Sequence, residues 1–317
     1  MTTLQWCAQH LPDLTGKRAL ITGAASGLGL ATAAGLASRG AQMILADRNI
    51  EGGKAAVAQI RAQTPTARVK FRALDLTSLA GIASFGKLIA GDGAPLDILI
   101  NNAGILPPLV RRETADGFEL KFGINVLGHF ALTGQLLPAL QRACAARVVW
   151  VSSLVHRHAK IDFDDLNATR SYEPQRAYNQ AKLACLMLAM ELHQRTADAG
   201  STIMGVAAHP GVARTALGDA RSGETRKRLR DHLEAAAFWM AMNWFAQAPD
   251  RGALPILHAA ASDGVSSGEF FGPDGFAEMA GAPKRVKLSK PALDAAQRQR
   301  LWSACEQLTG LRYPSLR

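Results

Sequence analysis

Short apolar runs alternate with longer amphipathic stretches over the first 210 residues of the chain. The runs at 18–22, 42–46, 69–73, 96–100, 147–151 and 202–208 have the length and near-continuous hydrophobicity of strands buried on both faces. Between them, 28–39, 51–63, 115–141 and 175–197 carry apolar residues at helical spacing. Such alternation predicts right-handed crossovers and an α/β fold, a doubly wound parallel sheet with helices on both faces. A last strand is expected at 268–271, which brings the sheet to about seven strands.

Two stretches interrupt the rhythm. One, 154–173, separates a strand from the helix that holds Tyr178; the other, 214–249, follows His209-Pro210-Gly211. No linker, repeat or low-complexity tract divides the chain. The expectation is a single domain over 1–317, with a cofactor-binding and catalytic core at 14–210, a substrate lid at 211–250, and a C-terminal helix, last strand and tail at 251–317.

Composition narrows the class of protein. With 48% hydrophobic and 20% charged residues, the chain reads as a soluble globular protein with ample core. No apolar run approaches the roughly 20 residues that span a bilayer, and the first ten residues lack the basic start and apolar stretch of a secretory signal. Cys7, Cys144, Cys185 and Cys305 are far apart and show no metal spacing, which suits reduced thiols and a cytoplasmic location. The net charge is +10, with 25 arginines to 11 lysines, and the densest basic run lies at 221–230. That run reads as a solvated helix face, or as a surface attracting an acidic ligand. No stacking-aromatic RNA motif or zinc-finger spacing accompanies it, so no nucleic-acid partner is expected.

Candidate chemistry begins at Thr22-Gly-Ala-Ala-Ser-Gly-Leu-Gly29. Gly23, Gly27 and Gly29, with Ser26 and Leu28 among them, sit between a strand and a helix start. There glycines allow a tight turn and let the backbone approach a pyrophosphate. Asp47 ends the second strand, 18 residues after Gly29, where a carboxylate accepts hydrogen bonds from an adenosine ribose and favours NAD. Arg48, next to it, is placed to meet the extra phosphate of NADP instead. Asp75 and Leu76 follow the third strand, and Asp75 is placed to reach an adenine edge or simply to make a turn. Downstream, Tyr178 and Lys182 are four residues apart and share a helix face. A free phenol has a pKa near 10, and a neighbouring ammonium favours its ionised form, so such a pair suits proton transfer.

These pieces, with Asn101-Asn102-Ala103-Gly104, Asn125, Ser152-Ser153, Pro210-Gly211 and Thr215, resemble the short-chain dehydrogenase/reductase family over almost the whole chain. The chain is similar to the retinol-dehydrogenase-like and related bacterial branch, which carries a long Ser-to-Tyr segment such as that around Asp162-Phe-Asp-Asp-Leu-Asn167. The resemblance implies a Rossmann-type fold and an NAD(P)-dependent oxidoreductase acting on a carbonyl/secondary alcohol pair. Tyr178 would be the general acid/base, Lys182 its partner, Ser153 the group that orients the substrate oxygen, and Asn125 the holder of a relay water. Asn102, Ala103 and Gly104 would line the cofactor, while Pro210, Gly211, Val212 and Thr215 would meet the nicotinamide end. Pairing of two chains through the helices holding Asn125 and Tyr178 is also implied. Two departures stand out: Ala25-Ser26 replaces the branch's Asn-Ser or Asn-Thr, and many relatives that use NADP lack an acid at the Asp47 position.

Around the expected substrate, Phe238, Trp239, Met240, Met242, Trp244 and Phe245 crowd the stretch 235–247. They read as packing against the sheet, as the wall of a pocket for a bulky apolar carbonyl compound, or as a peripheral membrane contact beside the basic run. His156-Arg157-His158 offers two histidines without a third ligand, so no metal site is expected and the loop borders the substrate cleft. Two rival functions stay open. One is a catalytically silent cofactor-sensing or scaffold protein, which does not require Tyr178; the other is a sugar-nucleotide epimerase, which usually carries different glycine spacing and a larger C-terminal domain.

Overall fold

A computed structural model describes residues 2–105, 108–213, 247–313 and 316. Thr215, the basic run at 221–230 and the aromatic stretch at 235–247, apart from Gln247, lie outside the described residues. The strands are β1 (Arg18–Thr22), β2 (Gln42–Asp47), β3 (Val69–Ala73), β4 (Ile98–Asn101), β5 (Arg147–Val151), β6 (Met204–Ala208), β7 (Phe270–Pro273) and β8 (Pro283–Arg285). They form one sheet in the order β3-β2-β1-β4-β5-β6-β7-β8, parallel throughout except for the antiparallel β7–β8 pair. The doubly wound sheet expected from the alternation is present, with an eighth strand added at its edge.

The main helices are α1 (Thr3–His10), α2 (Gly27–Ser38), α3 (Ile50–Gln63), α4 (Leu79–Ala90), α5 (His129–Leu140), α6 (Pro174–Asp198), α7 (Leu254–Ala261) and α8 (Ala295–Thr309). One face of the sheet packs against α4, α5 and α6, with α8 laid on α6; the other packs against α2, α3 and α7, with α1 laid on α2. Two cores therefore sandwich the sheet, and this is why the strands are apolar on both sides. Strand order reverses between β1 and β4, and in open sheets of this kind ligands bind beyond the carboxyl ends of the strands at such a reversal.

Several boundaries differ from the pattern. The helix expected over 115–141 begins only at Leu120, where Glu119 caps it by accepting from the amides of Lys121 and Phe122. It then widens into a π-helical segment, Gly123–Gly128, before α5. Gly123 and Gly128 lie hard against neighbours there: a Cβ on Gly128 would come 2.8 Å from the Leu76 carbonyl oxygen. Strand β7 starts two residues later than expected, because Gly268 takes φ +86° to pass over His193.

The helix α8 lies along α6, and its Trp302 stacks edge-on against Phe130 (4.9 Å) and Tyr313 (4.7 Å). The Tyr313 hydroxyl donates to the Phe130 carbonyl at 2.7 Å. The helices implied in pairing are thus covered on this side by the chain's own C-terminal segment.

Candidate active site

The glycine turn leaves β1 at Thr22 and enters α2 at Gly27. Gly23 (φ +68°) and Gly27 (φ +56°) take left-handed conformations that only glycine adopts freely. Gly29 lies so close to the turn that a Cβ there would sit 2.1 Å from the Gly23 carbonyl oxygen. Ser26 occupies the cap position of α2, is exposed, and makes no side-chain cap hydrogen bond. The first-turn amides and this hydroxyl suit a pyrophosphate. The absent asparagine at position 25 is replaced by a different brace: the Ala25 amide donates to Asp47 Oδ2 at 3.1 Å. Asp47 Oδ1 accepts from the Asn49 amide at 2.9 Å, so the carboxylate shapes both loops while remaining partly exposed beside the exposed Arg48. Asp75 is exposed and accepts from the Thr77 amide at 2.9 Å in a turn, whereas the Leu76 side chain is buried in the core. Leu28 is partly exposed and packs where Gly252 allows close approach: a Cβ on Gly252 would come 2.8 Å from both Leu28 and Ala213.

Beyond β4, Asn102 ties the two crossover loops together. Its amide donates to Thr22 Oγ1 (3.0 Å) and its side chain to the Thr22 carbonyl (2.7 Å), while the Ala103 amide also donates to Thr22 Oγ1 (2.9 Å). Gly104 then passes between two polar groups from distant parts of the chain. A Cβ on it would lie 3.4 Å from Asn125 Oδ1 and 3.5 Å from Lys182 Nζ. Asn125 is fully buried in the π-helical segment. Its Oδ1 accepts from the Ile105 amide at 3.2 Å, and its Nδ2 has no hydrogen-bond partner among the described residues.

Helix α6 is started by Glu173, which accepts from the Gln175 and Arg176 amides, with Pro174 at the first helical position. Tyr178 is partly exposed and Lys182, one turn on, is buried with Nζ donating to the Val151 carbonyl at 3.0 Å. The neighbouring serines differ sharply. The buried Ser152 hydroxyl donates to the Lys182 carbonyl at 2.8 Å, pinning β5 to α6. The partly exposed Ser153 hydroxyl makes no hydrogen bond to any described residue. Of the two, Ser153 is the one available to a ligand.

Beyond β6, Pro210 and Val212 are partly exposed and Gly211 takes φ +67°. The Val212 amide donates to the Met279 carbonyl at 2.8 Å, and Gln247 Nε2 to the Pro210 carbonyl at 2.8 Å. Glycine is required at 211, because a Cβ would sit 2.3 Å from the Met279 oxygen.

Several participants escape a reading of motifs. Lys121 is fully buried, donates to the Pro174 carbonyl at 3.0 Å, and places its ammonium 5.8 Å from the Tyr178 ring centroid. Its signal was a lysine inside an otherwise apolar stretch. His129 is buried, with Nε2 2.9 Å from Thr22 Oγ1 and Nδ1 3.0 Å from the Asn125 carbonyl. Burial pushes its pKa down to about 4, so the ring is neutral. The Asn125 carbonyl also accepts from Cys185 Sγ at 3.2 Å, whose thiol burial pushes up to about 11. His156, in the short helix Leu154–His158, is buried against Phe270 with neither ring nitrogen hydrogen-bonded to a described residue, and burial again brings its pKa to about 4.

Residues 17–225 match the model of the short chain dehydrogenase family. The chain is 39% identical over 307 residues to human retinol dehydrogenase 13, covering 96% of this chain and 88% of that protein. Among solved structures, an uncharacterised protein from Mycobacterium paratuberculosis is 38% identical, with a TM-score of 0.76 over 97% of this chain and 98% of the other. The complex of RhlG with NADP from Pseudomonas aeruginosa is 25% identical, with a TM-score of 0.61 over 81% of this chain and 94% of the other.

Proposed function

Because the chain belongs to the short-chain dehydrogenase family, whose members act on CH–OH groups, we propose that it is an NAD(P)-dependent oxidoreductase that interconverts a ketone or aldehyde and its alcohol with Tyr178 as general acid/base. The observation that carries this reading is the convergence of Gly104, Asn125 and Lys182, the last on the Tyr178 helix, at strand ends where the Ser153 hydroxyl bonds no described residue. A nicotinamide dinucleotide, when bound, supplies the hydride-transfer chemistry. Gly23, Ser26, Gly27, Gly29, Asn102 and Gly104 would hold it, with Pro210 to Val212 at its far end.

The protein's own part is to hold and move protons and to orient the substrate. The Ser153 hydroxyl donates to the substrate oxygen, where negative charge develops during reduction. The Tyr178 phenol passes its proton to that oxygen, and takes it back in the oxidative direction. Lys182 and Lys121 supply positive charge near the phenol; the Val151 and Pro174 carbonyls fix their ammonium groups. Asn125 Nδ2, buried and without a partner among the described residues, is the group of the set left to hold a relay water.

Asp47 favours NAD, since its carboxylate would repel a ribose phosphate. The name of the human relative supports a bulky apolar substrate. A silent cofactor-binding role is the second reading, favoured only by the fact that the glycine turn needs none of the proton chemistry. The test is a titration with NADH and, separately, NADPH, read by nicotinamide fluorescence, followed by a carbonyl screen that includes retinal with the preferred nucleotide. Binding of neither nucleotide sinks the proposal, and binding without any turnover favours the silent reading.

A further inference from the structure

The loop between β7 and β8 carries two consecutive non-glycine residues in left-handed conformations, Ala277 (φ +48°) and Glu278 (φ +60°). Such strain persists only where surrounding contacts over-determine it, and it gathers at functional sites. The contacts here are specific. Glu278 Oε2 lies 2.6 Å from Arg157 NH2 and 3.0 Å from His209 Nε2. Arg157 belongs to the short helix just after Ser153, and His209 is the buried residue directly before Pro210-Gly211. One carboxylate thus ties together the loops after β5 and β6. The same hairpin loop accepts the Val212 amide at the Met279 carbonyl.

The His209 ring adds direction to this contact. The Gly211 amide donates to His209 Nδ1 at 3.2 Å, so Nδ1 must be bare and the ring proton must sit on Nε2. That Nε2–H donates to Glu278. Burial lowers the pKa of His209, and the hydrogen bond from His209 holds the Glu278 carboxyl below its ordinary range. A neutral ring facing a carboxylate follows, and it presents one tautomer to the turn.

We infer that Glu278 is a positioning residue for the candidate site: it fixes the His209 tautomer, through which the Gly211 turn is held, and anchors Arg157 so that the loop after Ser153 keeps its place. The inference rests on the reading that this turn meets the nicotinamide end of a bound dinucleotide, and it adds the group that preorganises it. No motif in the sequence marks Glu278.

The full-length protein is titrated with NADH and NADPH for the wild type and for Glu278→Ala, Glu278→Gln, Arg157→Ala and Phe276→Ala, and each variant's unfolding midpoint is measured. Glu278→Ala is expected to weaken binding of the preferred nucleotide by about tenfold or more. Glu278→Gln keeps an acceptor for His209 and retains most of the affinity, even if the alanine variant proves too unstable to purify. Arg157→Ala gives an intermediate loss. Phe276, 86% exposed in the same loop, has no part in the contact, and its alanine variant binds as the wild type does. Histidine ring nitrogen spectra should show His209 as the Nε2–H tautomer in the wild type and a mixture in Glu278→Ala. Unchanged binding and an unchanged tautomer in the alanine variant would overturn this inference alone. A wild type that binds neither nucleotide would overturn it together with the proposed function.

Discussion

His129 joins Thr22 to Asn125 through its two ring nitrogens, at 2.9 Å and 3.0 Å. With Nδ1–H donating to the Asn125 carbonyl, the bare Nε2 accepts from the Thr22 hydroxyl. That hydroxyl in turn receives the Asn102 and Ala103 amides. A single hydrogen-bonded chain therefore runs from the loop after β4 to the π-helical turn. Replacing His129 by leucine removes one partner from each end in a dry interior, and stability should fall by about 1–3 kcal/mol. Urea unfolding of His129→Leu against wild type measures it, and a loss below the error of the fit would rule out this bracing role.

Acid should weaken the fold earlier than carboxylates alone would cause. His129 and His156 have folded pKa values near 4 against an ordinary 6.5. The unfolded chain therefore takes up protons first as pH falls. Stability is complete above about pH 6.5 and is lost progressively toward about pH 4, by at most about 3 kcal/mol for each ring. The urea midpoint should drop between pH 7 and pH 4.5, and His156→Phe should flatten part of that drop, since burial lowers the pKa of His209 and His258 as well. A midpoint constant over this interval would contradict the burial of neutral rings.

Tyr178→Phe removes one oxygen from a partly exposed ring and leaves the glycine turn untouched. Turnover should fall by about 10²- to 10⁴-fold, with nucleotide affinity preserved. Parallel assays of rate and of fluorescence binding separate the two. A phenylalanine variant that turns over normally would remove the phenol from the chemistry.

Gly29→Ala places a methyl group 2.1 Å from the Gly23 carbonyl and 2.8 Å from Asn102 Nδ2. Neither is the free end of a flexible chain, so the turn must open. Loss of nucleotide binding is expected together with about 1–3 kcal/mol of destabilisation. Retained affinity would show that the dinucleotide does not use this turn.

Trp302, 1% exposed, is gripped by Phe130 and Tyr313, with Arg195 over its face at 4.7 Å. Trp302→Ala should cost about 3–5 kcal/mol by leaving a cavity between α8 and α6. Because α8 covers this surface, the full chain should not pair through it. Light scattering on the full chain and on one ended at residue 294 checks this, with greater self-association expected in the shorter chain.

Order along the chain was legible wherever it depends on neighbours within a turn or a pleat. Apolar runs marked the seven longer strands to within two residues, and the glycines at 23, 27 and 29 marked the crossover. The three-residue strand β8 carried too little apolar pattern to register. The family resemblance alone singled out Ser153 over Ser152; the fold assigns the Ser152 hydroxyl to the Lys182 carbonyl and gives the Ser153 hydroxyl no bond to a described residue. Helical spacing likewise suggested that Tyr178 and Lys182 share a face, because that relation is set by four residues of helix.

Contacts between distant segments could not be read this way. Thr22 meets His129 across 107 positions, and His209 meets Glu278 across 69. Lys121 reaches the start of α6, and α8 seals the helices beside it. Local period and spacing report which way a side chain faces along its own element. They carry no record of which groups the crossovers bring together at the sheet's edge, and burial then decides the protonation and partners of those groups. The scaffold and the chemistry its motifs imply are therefore short-range properties of this chain, whereas the bracing of Asn125 and of the Gly211 turn exists only once the sheet has closed over its two cores.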